Sequence, residues 1–349
     1  MPSRTVSGPN ARPQDVELLQ ESARLTRAAL RDWVNRLPDE MARVAGYHLG
    51  WLDARGEPVH ARHAGKSVRP ALVYACARAV GGRPQDAVPA AVAVELVHNF
   101  SLIHDDVIDR DRLRRHRPTV WAALGTPAAL LGGDALLALA SRVLAETSGR
   151  NSARMTAVLT RSTLDLIEGE AADSAFEQRD AIDEADYRAM AAGKTGALMG
   201  AACALGVLAA GGSEDRARHL TRFGVCLGVA FQIADDLLGL FGSPGRTGKP
   251  VGNDLAARKK SHPIVAALNS STSAGRELAA LYARTERLTD EQVARAVDLV
   301  VLADGERMAR QAIEAELRQA FQALARAEPS AEALEDLTTL AQLMTNRSH

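Results

Sequence analysis

The 349-residue chain has few cysteines, few aromatic side chains and almost no net charge. Its three cysteines, Cys76, Cys203 and Cys226, lie far apart in apolar runs, which argues against a disulfide framework or a zinc cluster and favours buried thiols in a reducing cytoplasm. With 42 Lys+Arg against 43 Asp+Glu, the chain lacks the basic field of nucleic-acid-binding proteins. The first fifteen residues lack an apolar core, and runs such as 198–210 are short and rich in Gly and Ala, so we expect neither a targeting segment nor a membrane span.

Runs of β-branched and aromatic residues are scarce, whereas alanine accounts for 65 residues, and this composition favours helix. Apolar residues recur at three- and four-residue spacing between Gly/Pro clusters. The predicted helical segments are 16–37, 72–80, 88–108, 128–144, 155–176, 187–208, 217–240, 263–268 and 291–325. We therefore expect an all-α bundle, with residues 14–346 as a single domain and residues 1–13 disordered.

The first candidate site is an aspartate cluster at the end of segment 88–108. On a helix, Asp105 and Asp109 lie one turn apart on one face, Asp106 lies about 100° round, and His98 stands two turns earlier. Three carboxylates clustered at the end of an apolar stretch repel one another, and this repulsion is costly unless a nearby cation compensates their charge. Such oxygen ligands suit Mg²⁺ completed by water and substrate phosphate, and the alternative is a solvated acidic helix end.

A second pair, Asp235 and Asp236, also ends a long apolar segment, with Gln232 one turn before Asp236. Basic residues supply the partners that clustered carboxylates and a diphosphate need. The candidates are Lys66, Arg69, Arg114, Arg115, Lys194 with Thr195, Lys249 and Lys259. Lys194 is the most diagnostic because it interrupts an apolar helix. The alternatives are a snorkelling lysine at this position and surface salt bridges at the others.

These motifs resemble the trans-isoprenyl diphosphate synthases, the polyprenyl synthetase family, from Gly65 to Leu268 and more loosely to the C-terminus. The matching motifs are Gly65-Lys66-x-x-Arg69-Pro70, Ser101-Leu102-Ile103-His104-Asp105-Asp106-x-x-Asp109, Arg114-Arg115-x-x-Pro118-Thr119, Gly133-Asp134, Lys194-Thr195, Phe231-Gln232-x-x-Asp235-Asp236, and Thr247-Gly248-Lys249-Pro250 with Lys259. The resemblance implies long antiparallel helices around a central cavity, a homodimer, and condensation of an allylic diphosphate with isopentenyl diphosphate.

The resemblance also implies a role for each matching residue. Mg²⁺ would be bound on the two sides of the allylic diphosphate by Asp105, Asp106 and Asp109, and by Asp235 with Asp236. Cations that would contact this diphosphate are Arg114, Lys194, Lys249 and Lys259. Residues that would hold isopentenyl diphosphate are Lys66, Arg69, His98 and Arg115. Gln232 and Thr195 would line the reacting centre, and the catalytic set would be Asp105, Asp106, Asp109, Lys194 and Asp235.

The chain departs from the family pattern at three positions. Gly239 stands where a third aspartate is common, Ser67 where a basic residue is common, and His116 where glycine is common. If the missing aspartate orients a metal-bound water, activity survives with weaker Mg²⁺ affinity. If it is a direct ligand, its absence puts catalysis in doubt.

Phe100 and Ser101, just before the first aspartates, set the expected product length. In the family, bulk on this helix limits chain growth, so an aromatic Phe100 beside a small Ser101 favours a twenty-carbon product, geranylgeranyl diphosphate, with fifteen-carbon farnesyl diphosphate next. Plain core packing is the alternative for Phe100. Two other functions stay open: a class I terpene cyclase, against which the isopentenyl diphosphate residues argue, and a non-catalytic partner subunit, which Gly239 suggests.

Overall fold

The computed structural model describes residues 13–59, 67–147, 151–176, 178–179, 181–242, 255, 258–283 and 288–346. The expected disorder near the N-terminus and the candidates Lys66 and Lys249 lie outside these residues, apart from Pro13. Within the described residues, the regular structure is helical except for two strands of two residues each, so the predicted all-α class is confirmed. All three cysteines are buried and free.

Contacts between residues group the fold into two compact units. Unit 1 comprises Met1–Arg161, Ala201–Thr221 and Ala327–Leu343, and unit 2 comprises Ser162–Gly200, Arg222–Arg326 and Met344–His349. Several of the bounds between the units fall inside helices rather than in linkers. The single domain expected over 14–346 stays a prediction.

Unit 1 begins with a series of helices joined by short turns. They are α1 (Pro13–Val34), α2 (Asp39–His48), α3 (Val68–Ala79), a 3₁₀ turn (Pro84–Ala87), α4 (Val88–Ile108), α5 (Val120–Leu124) and α6 (Thr126–Ala145). Between α4 and α5, strands β1 (Leu113–Arg114) and β2 (Arg117–Pro118) pair antiparallel. The two residues that join them, Arg115 and His116, have φ of 51° and 63°. This left-handed turn suits glycine, which explains the family preference for glycine at position 116.

Helix α4 is the buried centre of unit 1. A proline in its first turn provides the fixed φ with which a helix can begin, and the apolar residues that follow pack on α3 and most extensively on α6. Gly133 of α6 permits this close packing, because a Cβ at that position would overlap the imidazole of His104. The contact fixes the C-terminal turn of α4, where the first aspartates lie.

The remaining helices belong mainly to unit 2, although the larger parts of Ala197–Ala209 and Ala331–Thr345 belong to unit 1. They are α7 (Ser152–Phe176), α8 (Glu184–Ala191), a π-helical turn (Ala192–Gly196), α9 (Ala197–Ala209), α10 (Glu214–Phe241), α11 (His262–Leu268), α12 (Ser273–Tyr282), α13 (Asp290–Leu302), α14 (Gly305–Arg326) and α15 (Ala331–Thr345). Gly169 lets α7 approach the π-helical turn, because a Cβ there would overlap the backbone nitrogen of Lys194. The predicted helix 187–208 is therefore interrupted at its candidate residues, and π-turns of this kind recur at functional sites.

Four helical stretches of the described residues are long and apolar enough to cross a membrane by length and composition: Pro84–Ile108, Thr126–Ala145, Glu184–Ala209 and Glu214–Phe241. Between 44% and 78% of the most apolar part of each stretch is buried within the protein. Burial in a helical bundle accounts for such apolar helices without a bilayer. The absence of a membrane span stays a prediction.

Candidate functional site

The three aspartates at the end of α4 occupy different surroundings. Asp106 is 2% exposed and accepts hydrogen bonds from Arg114, whose Nε lies 2.9 and 3.1 Å from its two carboxylate oxygens. Asp105 is half-buried and Asp109 is exposed, and the N–H of Asp109 donates to the carbonyl of Asp105 at 2.8 Å. The structure thus pairs Asp106 with a cation and leaves Asp105 and Asp109 one turn apart at a helix C-terminus, whose dipole adds negative potential and favours a bound cation.

A cavity of about 330 Å³ lies in unit 1 beside these residues, within the size range of small-molecule sites. Its charged and imidazole side chains are His48, Asp53, Asp106, Arg114, Arg115 and Arg117. Three guanidinium groups face two carboxylates, so the cavity favours an anion. Arginine forks match phosphate oxygens, which gives the cavity the chemistry of a phosphate site.

Arg117 holds the β1–β2 hairpin in place. Its guanidinium donates to the carbonyls of Tyr47 at 3.3 Å and Leu52 at 3.1 Å, and it stacks over the Tyr47 ring at 4.8 Å. Arg114 lies opposite Arg117 in β1 and Arg115 lies in the adjoining turn, so both arginines are presented by an anchored hairpin. Arg117 was not among the predicted site residues.

Arg69 and His98, both predicted to hold isopentenyl diphosphate, lie together. Nη1 of Arg69 donates to Nε2 of His98 at 3.2 Å. Burial, followed by the charges of Arg69 and Arg115, holds the pKa of His98 well below its usual range, so the imidazole is a neutral acceptor. Ser67, which precedes this group, has a left-handed φ of 50°.

Phe100 and Ser101 are both buried in α4. The Phe100 ring meets the imidazole of His104 edge-on, with ring centroids 4.8 Å apart, and the hydroxyl of Ser101 donates to the carbonyl of His98 at 2.9 Å. These contacts fit a packed helix core, and the predicted role in product length stays a prediction.

In unit 2, Asp236 is a buried hydrogen-bond acceptor. It accepts from the Tyr187 hydroxyl at 2.6 Å, the His262 backbone N–H at 2.8 Å and Nε2 of Gln232 at 3.0 Å. Burial raises the pKa of Asp236 to about 6, and the three donors oppose the rise. Asp235 is only half-buried, so the two aspartates of this pair differ as those of the first cluster do.

Thr195 and Gln232, both predicted to line the reacting centre, are in contact. The Thr195 hydroxyl donates to Oε1 of Gln232 at 2.7 Å, and the amide of Gln232 continues to Asp236. The π-helical turn and α10 thus share one hydrogen-bonded chain. Tyr187 and His262, which complete it, were not predicted.

Lys194 is paired with two carboxylates that the sequence analysis did not identify. Its Nζ lies 2.8 Å from Glu170 and 2.5 Å from Asp173, and Nζ of Lys259 lies 3.6 Å from the same Asp173 oxygen. The Lys194 side chain is only 17% exposed, so it does not snorkel to water. Burial alone would lower the pKa of Lys194, but Asp173 and Glu170 outweigh it and raise the pKa above its usual value. Spacing of three along α7 is the signal that could have joined Glu170 with Asp173.

The described residues contain no set of three His, Cys, Asp or Glu side chains that could hold a metal ion by themselves. Mg²⁺ is commonly bound through one or two carboxylates, with waters and substrate phosphates completing the shell. Asp105 and Asp109, hard oxygen donors one helical turn apart, fit that requirement.

Comparison with known proteins identifies one family. Residues 58–300 match the family model described as Polyprenyl synthetase. A geranylgeranyl diphosphate synthase of Mycobacterium tuberculosis is 47% identical over 315 residues, which cover 90% of this chain and 89% of the relative. A (2E,6E)-farnesyl diphosphate synthase of Mycobacterium bovis is 43% identical over 320 residues, covering 90% and 89%. The crystal structure of a polyprenyl synthetase from Streptomyces coelicolor A3(2) matches with a TM-score of 0.89 and 40% identity, covering 94% of this chain and 98% of that one.

Proposed function

The chain belongs to the polyprenyl synthetase family, and from this we propose that it is a Mg²⁺-dependent trans-prenyltransferase that joins an allylic diphosphate to isopentenyl diphosphate. The product is a medium-chain polyprenyl diphosphate, with geranylgeranyl diphosphate first and farnesyl diphosphate second. The names of relatives at 47% and 43% identity support these two products in that order. We also expect a cytoplasmic homodimer.

The observation that carries the proposal is the arginine-lined cavity beside the acidic end of α4 in unit 1. A diphosphate carries several negative charges, which the guanidinium groups of Arg114 and Arg115 match. Asp105 and Asp109 would hold Mg²⁺, which when bound neutralises diphosphate charge and assists its departure. In unit 2, Lys194, Lys259 and Asp235 are the residues that the family resemblance gives to the allylic diphosphate.

The reaction would proceed by ionisation. The allylic carbon–oxygen bond breaks, and its electron pair leaves with the diphosphate, whose added charge is stabilised by side chains already in place. Arg69, Arg115 and the neutral His98 would hold isopentenyl diphosphate, whose double bond attacks the allylic cation to form the new carbon–carbon bond. The released diphosphate accepts the proton lost in the last step, so no protein nucleophile is required.

The test is incubation of the purified protein with Mg²⁺ and labelled isopentenyl diphosphate, together with dimethylallyl, geranyl or farnesyl diphosphate. Elongation supports the proposal, and the mass of the product identifies its length. Hydrocarbon formed from one prenyl diphosphate alone would identify a terpene cyclase. No product with any substrate would favour a non-catalytic partner subunit.

A further inference from the structure

The carboxylate of Asp236 accepts hydrogen bonds at both of its oxygens in unit 2. The Tyr187 hydroxyl lies 2.6 Å from Oδ2, and the His262 backbone nitrogen lies 2.8 Å from the same oxygen. Nε2 of Gln232 lies 3.0 Å from Oδ1. A backbone N–H can only donate and a phenol keeps its proton at neutral pH, so Oδ2 is the acceptor of both contacts. The carboxylate, 7% exposed, is thus held from three sides.

Asp236 decides which way the Gln232 amide points. Because Oδ1 of Asp236 accepts, Gln232 turns its NH₂ toward this oxygen, and its own carbonyl oxygen then faces Thr195. An amide oxygen has no proton to give, so the Thr195 hydroxyl, 2.7 Å away, must donate to it. The direction of the Thr195 hydroxyl proton therefore depends on Asp236, although two hydrogen bonds separate the two side chains.

The ring of Tyr187 is itself firmly held. Tyr187 is 1% exposed and packs in an apolar cluster to which α8 and α10 both contribute. A capping box between Asp183 and Asp186 fixes the start of α8, one turn before the tyrosine. Close packing of this kind leaves a side chain few alternative rotamers. The hydroxyl of Tyr187 is therefore a fixed donor against which the Asp236 carboxylate is placed.

We propose that Tyr187 is a positioning residue that acts through Asp236. The carboxylate that it holds fixes the Gln232 amide and, through that amide, the Thr195 hydroxyl at the reacting centre. The inference rests on the proposed function, in which these two side chains line the place where the allylic cation forms. Groups that are oriented in advance toward developing charge stabilise the transition state more than the bound substrate. Loss of the orientation should therefore slow the chemical step and leave substrate affinity intact.

Tyr187→Phe removes the phenolic O–H and keeps the ring in its apolar cluster. The single-turnover rate constant for elongation should fall about tenfold, while KM for each of the two substrates stays unchanged. Rapid-quench measurement with saturating isopentenyl diphosphate, and with enzyme in excess over the labelled allylic diphosphate, gives this rate constant. Partial unfolding would lower the amount of active enzyme but not the rate constant, so a merely structural role of Tyr187 would leave it unchanged.

Tyr74→Phe is the matched control in unit 1. This tyrosine is also 1% exposed, and its hydroxyl lies 2.9 Å from the Thr26 hydroxyl, so the substitution likewise removes a buried hydrogen bond of a phenol. Neither Tyr74 nor Thr26 is among the residues lining the cavity of unit 1. The rate constant of Tyr74→Phe should match that of the wild type. An equal decrease in both tyrosine variants would overturn the inference.

A double-mutant cycle tests whether the effect passes through Gln232. Gln232→Leu removes the amide that joins Asp236 to Thr195. In this background Tyr187→Phe should lower the rate constant by less than about twofold, because the connection that it acts through is already broken. Additive losses would mean that Tyr187 acts by another route, and would overturn the inference.

The Mg²⁺ dependence separates positioning from metal binding. If Asp236 instead binds Mg²⁺, Tyr187→Phe should raise the Mg²⁺ concentration that gives half the maximal rate, and excess Mg²⁺ should restore the rate constant. That result overturns the inference, as does a wild-type rate constant in Tyr187→Phe, and both leave the proposed function standing. No elongation by the wild-type protein overturns the proposed function and this inference with it.

Discussion

The ammonium nitrogen of Lys194 lies 2.5 Å from Oδ2 of Asp173 and 2.8 Å from Oε2 of Glu170. All three side chains are largely removed from water. A buried ion pair adds little net stability, because desolvation offsets the Coulomb attraction, but removal of one partner leaves an uncompensated charge. The triad therefore fixes the position of Lys194 in the π-helical turn more than it stabilises the fold.

Lys194→Met should lower the free energy of unfolding by about 3–5 kcal/mol at pH 7, because Glu170 and Asp173 then lie buried close together with less cationic compensation. Urea unfolding followed by circular dichroism measures the change. The double variant Lys194→Met/Asp173→Asn has one fewer uncompensated carboxylate and should recover more than about 1 kcal/mol of the loss. A double variant as unstable as the single one would contradict the charge argument.

The helical architecture could be predicted from apolar spacing where a helix has clear stops. Segment 88–108 coincides with α4 at both ends, since a 3₁₀ turn and a proline mark its start and the aspartates end its apolar face. Segment 291–325 instead contains two helices, Asp290–Leu302 and Gly305–Arg326, because the chain turns at Asp304 with φ of 63°. No Gly/Pro cluster marks this turn, and the apolar period continues across it.

Helices α2 and α12 and the π-helical turn were not predicted. These two helices have ten residues each, and length alone does not explain their omission, because the shorter segments 72–80 and 263–268 were predicted. The π-helical turn at Ala192–Gly196 is set by close packing against Gly169, a tertiary contact that local spacing does not encode.

The site residues could be predicted by type but not by partner. Two Asp pairs and separated cations indicate diphosphate chemistry, because each residue type carries its charge wherever it lies. Which carboxylate meets which cation depends on packing between helices. Asp106 with Arg114 and Lys194 with Glu170 are pairs that only the fold determines.

Phe100→Ala should lengthen the product by at least one five-carbon unit, because it removes a buried ring five residues before Asp105 on α4. Mass spectrometry of the dephosphorylated products measures the shift, and Ser101→Phe should shorten the product. Phe223→Ala is the matched control: this buried ring packs near Phe321 in unit 2, with centroids 6.4 Å apart, and its loss should destabilise the fold by about 3–5 kcal/mol without changing the product. An unchanged product in Phe100→Ala would assign Phe100 to core packing alone.

Gly239→Asp should lower the Mg²⁺ concentration that gives half the maximal rate, because it restores the third carboxylate that the family pattern has in the second cluster. The expected decrease is several-fold, measured by the initial rate of elongation across a Mg²⁺ titration. Gly239→Asn has a side chain of the same size without the charge and should not reproduce the decrease. Equal effects of the two variants would mean that side-chain bulk, and not a carboxylate, changes the metal dependence.

His262 and Asp236 make opposite contributions to the pH dependence of stability. His262 is 4% exposed, its Nδ1 has no hydrogen-bond partner among the described residues, and burial lowers its pKa from 6.5 to about 4. The unfolded chain therefore takes up this proton first as pH falls, so stability present above pH 6.5 is lost toward pH 4. The raised pKa of Asp236, from 3.8 to about 6, acts in the other direction: its contribution is present below pH 3.8 and lost as pH rises through 6.

His262→Phe isolates the imidazole from the carboxyl group. The variant keeps an aromatic ring to meet Tyr187, whose centroid lies 4.9 Å from that of His262, and it keeps the backbone N–H that donates to Asp236. The contribution of Asp236 should then be similar in both proteins and cancel in their difference. Because a shift from 6.5 to about 4 corresponds to about 3 kcal/mol, the free energy of unfolding of the wild type minus that of the variant should fall by this amount between pH 7 and pH 4. Urea unfolding at several pH values in this range measures the difference, and parallel pH profiles would show that His262 is not held neutral by burial.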